Sequence, residues 1–485
     1  QWLIQRIWFL HSDASFPFDG CFIRNKILSL YLRNALHFRE SEAVSVYHGF
    51  MFFNYAFPIL GGILADSYIG KYQTIIYSSI VHTVGNLTVA LASTPWISSS
   101  RLCTFVGLIL VATGAGLMKP CISTLGGEQF VLPQQAKQMA TFFSIFYFSI
   151  NVGSLLASIV APILRQDVKC LGQPSCYPLA FGVPAFLMFL ALVLFVCGKP
   201  WYRMKEPEGN ILVEAMKCIF YALRKKLSHA KLAEKPSYWL NYARDKFDQR
   251  LLKDTRELIR LLPMFIPVPL YWALSEQQGS SWIFQASQMD GVVPNWFTIK
   301  PDQLGFLNPL CVVILIPILR SLPLQYITIG ALTCAFAFLM SSYVEYRLEV
   351  GNLHTITPPV QLHILWIVPQ IIVMAISEIF FSVTYISFTF KEAPVRMRSI
   401  MSSISLLAIS LGNVIVVFIS SAKLFNRQVY QFLFYAGLMV LNTILLIFLS
   451  ARYKYRDQSE PEEAISLETQ LPPDTENKTG FGTPE

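Results

Sequence analysis

The stretch FFSIFYFSINVGSL, Phe142 to Leu155, is apolar enough to lie in a bilayer, yet it carries Tyr147, Asn151 and Ser154 at helical spacing. A phenol and an amide in hydrocarbon either bond neighbouring helices together or line a wet cavity, and spacing alone leaves both readings open. Two ionisable residues, Lys119 beside Pro120 and Glu378, sit inside other apolar runs, where a charge marks an ion or solute path more often than a packing contact. Asp66 and Lys71 flank a Gly-containing turn in GILADSYIGKYQT, so they are expected to make charge-assisted contacts that hold neighbouring helices. Cys170 and Cys176 share a polar loop with no His or further Cys at metal-ligand spacing, which favours a disulfide on an oxidising face over a metal site. The loops offer no nucleophile-base or metal constellation, so an enzyme is not expected, nor a cofactor.

The elements that position these residues follow from composition. With 54% apolar and 14% charged residues and a mean hydropathy of +0.47, the chain is an all-α integral membrane protein, since β-barrel alternation is absent. A net charge of +8 raises nucleic-acid binding, but the basic residues cluster in short loops, a pattern that sets membrane orientation. About twelve spans of bilayer length are predicted: Cys21–Phe38, Val44–Leu64, Tyr72–Ala92, Cys103–Leu125, Ala140–Leu164, Tyr177–Val196, Leu258–Gln278, Leu304–Leu319, Leu322–Tyr343, Val360–Tyr385, Ile400–Ile419 and Phe432–Ala451. Lys and Arg concentrate after even-numbered spans, with about fourteen between Lys199 and Arg256, so both termini are expected in the cytoplasm and Cys170 and Cys176 outside.

The predicted organisation is an atypical segment 1–20, a helical bundle 21–198, a basic cytoplasmic linker 199–257, a second bundle 258–452 and a disordered tail 453–485. The linker stretches ILVEAMKCIFYALRKKL and YWLNYARDKFDQRLL read as amphipathic helices along the inner membrane surface. They serve either as a tether with a solvated basic face or in a regulatory or lipid-binding role. The chain opens with Gln and carries no cleavable signal pattern, so its start is expected to be missing.

Spans divided by a central cytoplasmic linker match the major-facilitator arrangement of two six-helix bundles around a midplane site. The loop Gly62 to Thr74 resembles the signature loop of that superfamily. GAGLMKPCISTLGGEQF and FYFSINVGSL resemble the two signatures of the proton-coupled oligopeptide transporters. SVYHGFMFFNYAFPILG, WALSEQQGSSW and CYPLAFGVPA are similar to the animal peptide transporters of intestine and kidney, with resemblance running from about Ile27 to Tyr455.

That resemblance implies a symporter of di- and tripeptides, and of peptide-like drugs, driven inward by protons across the plasma membrane, apical in epithelia, or across an endolysosomal membrane. It implies a monomer that needs no nucleic acid and no cofactor beyond the coupling proton. By resemblance, Glu378 receives the peptide's amino terminus and Lys119 its carboxylate. Tyr31, Tyr147 and Asn151 form the amino-terminal half of the pocket, and Trp272, Gln278 and Asn308 the carboxy-terminal half. His48 and Tyr55 match a pair associated with proton handling, which suits an imidazole with an ordinary pKa of about 6.5. His48 also reads as a solvated residue near the outer end of its span, and Trp272 as a helix-packing residue.

Four departures stand out. Where the family carries an acid-acid-arginine motif in its first span, SFPFDG stands here, pointing to an aberrant terminus or to lost coupling. Arg260 matches a gating Arg whose partner position, normally Asp, is Arg320, and Ser405 stands where a tryptophan is expected. Only Glu345 to Pro359 fills the place of the animal transporters' extracellular domain. A transport-deficient relative acting as a binding or scaffold protein is therefore the alternative reading.

Overall fold

Hydrocarbon offers a backbone no water to bond, so each apolar run closes its own hydrogen bonds as a helix. The computed structural model describes residues 20–97, 100–131, 134–204, 211–228, 238–294, 297–315, 326–352, 362–394, 398–422 and 424–453. The helices before the linker are α1 (Gly20–Asn34), α2 (Glu40–Leu64), α3 (Lys71–Ala92), α4 (Ser100–Gly127), α5 (Ala136–Gln166) and α6 (Tyr177–Cys197). The linker holds α7 (Ile211–Ser228). Then come α8 (Gln249–Leu261), α9 (Val268–Ser275), α10 (Ser281–Ser287), α11 (Leu307–Leu315), α12 (Tyr326–Asn352), α13 (Val368–Glu378), α14 (Thr384–Glu392), α15 (Arg398–Ala422) and α16 (Gln428–Arg452). Two short strands, β1 (Val292–Val293) and β2 (Phe297–Thr298), pair antiparallel with Val292 opposite Thr298. Among the described residues, eight helices are long and apolar enough to cross a membrane, or nine with one bent pair. This is a multi-pass, all-helical membrane protein.

Two predicted elements differ in the structure. The expected seventh span, Leu258–Gln278, is instead a broken rod running from Gln249 to Ser287 and bent by 48°. Pro263, Pro267 and Pro269 remove backbone donors at its middle, and a short 3₁₀ turn, Glu276–Gly279, interrupts it again near Gln278. The second amphipathic linker helix forms only a 3₁₀ turn, Trp239–Ala243, before α8 begins at Gln249. Asp245 explains the interruption, because it accepts from Tyr221 Oη at 2.8 Å and pairs with Lys225 Nζ at 2.8 Å, pinning the segment across α7. Tertiary contacts outweigh a helical periodicity of this length.

Apolar burial concentrates in separate cores. One unites α9, α12, α13 and α16 around Tyr271, Phe338, Phe381 and Phe432. Another unites α1, α2, α4 and α6 around Tyr31, Tyr47, Val111 and Phe181, and takes in Ile283, Phe284 and Val416 from the later helices. In lipid, where hydrophobicity gives helices little reason to prefer one another, small residues permit close packing. A Cβ on Gly114 would stand 2.5 Å from the His82 backbone nitrogen, so α3 and α4 approach there to a distance only glycine allows.

Candidate binding and coupling sites

Glu378 ends α13 and is followed by a π-helical turn, Ile379–Val383. Such turns inside helices often accompany functional positions because they re-aim side chains. The backbone on either side is held firmly. Ser377 Oγ donates to Gly330 O at 2.6 Å and accepts from Tyr271 Oη at 3.1 Å, and the Tyr271 ring stacks on Phe381 with centroids 3.6 Å apart. The Glu378 side chain, only half-buried, accepts from Asn308 Nδ2 at 2.9 Å. Asn308, on α11, also donates to Gln278 Oε1 at 2.9 Å, and Gln278 sits in the 3₁₀ turn that breaks the seventh span. Three predicted residues from three elements thus converge as one carboxylate and two amides. Trp272 is partly buried against the carboxy-terminal core, edge-on to Tyr271 at 5.8 Å.

On the amino-terminal side, Lys119 Nζ lies 4.6 Å over the Tyr55 ring, a contact that partly offsets the cost of an ammonium in an apolar span. Lys119 lines a cleft with Asp66, Thr124, Leu212, Ser403 and Leu406, so residues from both sides of the chain and from the linker form its walls. Tyr31 does not join this surface. Its hydroxyl bonds Thr104 Oγ1 at 3.1 Å, and its ring packs 5.1 Å from both Tyr177 and Phe181. With 1% exposure, Tyr31 is packed in the amino-terminal core in this structure, away from the cleft that Lys119 lines. Tyr147 and Asn151 lie on α5, but their side chains fall outside the described residues.

His48 and Tyr55, expected to act as a pair, have different partners. They stand seven residues apart on α2, about two turns or ~10 Å along the axis. His48 is fully buried rather than solvated. Its Nδ1 donates to Asn413 Oδ1 of α15 at 2.6 Å, which leaves Nε2 as the acceptor for Ser280 Oγ–H at 3.0 Å. The imidazole therefore bridges the early and late helices.

Near the disulfide Cys170–Cys176, Arg165 makes a two-pronged contact with the buried Asp302, both bonds 3.0 Å long, and Lys300 pairs with Asp167. Ser29 Oγ donates to Gly279 O at 2.6 Å, and Ser45 and Ser421 meet at 3.3 Å. At this end the two sets of helices are joined. The turn between α2 and α3 lies at the other end, where Gly70 at φ +80° lets the chain reverse and Lys71 reaches both Asp66, at 3.6 Å, and Glu128. Arg260 stacks over Tyr453 at 5.6 Å. Its expected clash with Arg320, like residues 1–19, lies outside the described residues.

Sequence reading passed over Arg165, Asp302, Asn413 and Ser280. The only available signal was polar residues at the ends of, or within, apolar spans, and nothing in spacing pairs residues so far apart in the chain.

A family model described as the POT family matches residues 72–428, most of this chain. The chain belongs to the POT family. Among curated proteins, Peptide transporter family 1 of Drosophila melanogaster is 41% identical over 338 residues, covering 67% of this chain and 45% of that protein. Solute carrier family 15 member 2 of Danio rerio is 40% identical over 335 residues, covering 66% and 46%. The chain thus spans about half the length of the curated relatives it matches. Among solved structures, the in meso crystal structure of the POT family transporter PepTSo superposes with a TM-score of 0.77 at 25% identity, covering 94% of this chain and 99% of that one. An auto-inhibited POT family peptide transporter gives 0.75 at 26%, covering 94% and 98%. The POT fold is of the major-facilitator type, and this chain has it.

Proposed function

We propose that this POT family member is a secondary active transporter that carries di- and tripeptides, and peptide-like drugs, into the cytoplasm together with protons. The observation that carries this reading is the half-buried Glu378 carboxylate held by Asn308 beside Gln278 at membrane depth. A peptide zwitterion needs an anion for its ammonium and a cation for its carboxylate, and in a low-dielectric cavity both contacts are strong. Glu378 supplies the first and Lys119 the second, with Asn308, Gln278 and Trp272 on the Glu378 side, and family resemblance assigns Tyr147 and Asn151 to the other half of the pocket. His48 and Glu378 take up the coupling proton, and Tyr55 steadies the Lys119 ammonium while that cation is unpaired. The relatives, peptide transporters among them by name, support the same solute class.

In this reading residues 21–198 and 258–452 are two bundles that rock about the site, linked by 199–257, in a monomer within the lipid bilayer. The Arg165–Asp302 end is the outer gate, drawn shut, and the cleft at Asp66 and Lys119 faces the cytoplasm together with both termini. Arg260 and Arg320 are assigned to the cytoplasmic gate by family resemblance. A plasma membrane is the location that fits a proton gradient directed inward.

Uptake of a labelled dipeptide into proteoliposomes under an inward proton gradient tests the proposal. Gradient-dependent uptake that collapses on Glu378→Ala supports it. Specific dipeptide binding without uptake under any gradient sinks it in favour of a transport-deficient binding protein.

A further inference from the structure

Helix α7 has two apolar faces, and among the described residues only one is packed against other elements. Ala215, Cys218 and Ala222, three and four residues apart, are buried, the last two against Leu240, Ala243 and Leu252. On the other side Met216, Phe220, Leu223 and Leu227 recur at intervals of four, three and four residues, with exposures of 54%, 73%, 42% and 80%. At about 100° per residue they form one continuous stripe roughly opposite the buried face. Lys217 and Arg224 flank one edge of that stripe and Lys226 the other, all three exposed, whereas Lys225 is engaged by Asp245. A merely solvated tether would carry its charges where these hydrophobic residues stand.

The surroundings of α7 determine what covers the stripe. The chain leaves the membrane-spanning α6 through a 3₁₀ turn at Lys199–Trp201, and beyond α7 it leads through the charged α8 into the bent candidate span that ends at Ser287, so α7 lies between two spans. Leu212, in its first turn, lines the same cleft as Asp66 and Lys119, which fixes the end of the molecule at which it lies. A second copy docked stripe to stripe would bring the basic edges against each other. An anionic leaflet instead meets both features, acyl chains for the stripe and phosphate headgroups for its edges.

We propose that α7 lies in the bilayer interface, with Met216, Phe220, Leu223 and Leu227 among acyl chains and Lys217, Arg224 and Lys226 at anionic lipid headgroups. The helix is then a lipid-contacting element that both anchors the linker and ties its position to leaflet charge.

The full chain, reconstituted in vesicles of equal parts phosphatidylcholine and phosphatidylserine, is probed with benzoylphenylalanine in place of Phe220 or Leu227, and in place of the exposed Glu214 as control. Photolysis is expected to give lipid adducts at 220 and 227 well above those at 214. Phosphatidylserine should be captured preferentially, with capture falling about fivefold for each of Lys217→Gln, Arg224→Gln and Lys226→Gln. Covalent dimers at 220, or lipid adducts no more abundant than at 214, would overturn the proposal. Equal capture of the two lipids would overturn its headgroup part. Because the substituted residues are exposed, unchanged thermal unfolding in detergent should accompany each variant.

Discussion

A carboxylate inside an apolar span needs compensation, and the Asn308 amide supplies part of what Glu378 receives. Under the proposed function, this amide contact is the one that a substrate ammonium replaces. Asn308→Ala removes a hydrogen bond to a charged group, of about 1.5 kcal/mol. The expected result is a rise of about tenfold in the half-saturating dipeptide concentration for uptake, with the protein still folded. Arg165 and Asp302 present the opposite case, a buried pair with little solvent access. Arg165→Ala strands the Asp302 charge and should cost roughly 3–5 kcal/mol of the contacts at that end, read as a lower unfolding temperature in detergent. Exchanging the pair, Arg165→Asp with Asp302→Arg, should recover part of the loss.

At the scale of elements, small residues and punctuating prolines decide how spans meet and bend. Gly114→Ala places a methyl group against the α3 backbone, and the resulting overpacking should destabilise by about 1–3 kcal/mol, measurable by thermal unfolding. The linker carries a pH signature. Lys225 and Tyr221 hold the Asp245 carboxyl below the usual aspartate range by hydrogen bonding. Its contribution to pinning Trp239–Ala243 against α7 is therefore complete above the ordinary aspartate pKa and is lost as pH falls through the lowered one. The protection of residues 239–243 against hydrogen exchange, taken relative to the intrinsic rate at each pH, should fall in acid, and Asp245→Asn should lower it at neutral pH as well. Helix positions were largely legible in the sequence, because an 18-residue apolar window admits one structure in lipid. The broken seventh span and the interrupted linker helix were not, because in sequence the apolar run outweighs the local effect of its three prolines, and the Asp245 contact exists only once α7 is in place.

For the whole molecule, the joined end and the cleft lie at opposite ends, as alternating access requires of one of its two states. Ser45 and Ser421, their hydroxyls 3.3 Å apart, belong to helices on either side of the linker. The pair Ser45→Cys and Ser421→Cys should form a disulfide under oxidation that holds this end shut. Uptake should then stop and return on reduction, whereas each single variant should transport normally. Persistent uptake by the oxidised double variant would show that these ends do not separate during transport.

The sequence by itself determined the class of molecule, its approximate spans, its family and several of the groups that bear charge within the membrane. All of these depend on local composition or on short motifs. Only the tertiary structure decided which groups meet. It joined Glu378 to Asn308 and Gln278, gave Lys119 to Tyr55, and removed Tyr31 to a core. It also turned His48 from an apparently solvated residue into a buried bridge to Asn413 and Ser280. The physical reason is that burial and hydrogen bonding are satisfied between helices far apart in sequence, and helical periodicity specifies which face a residue occupies but not which helix that face will meet.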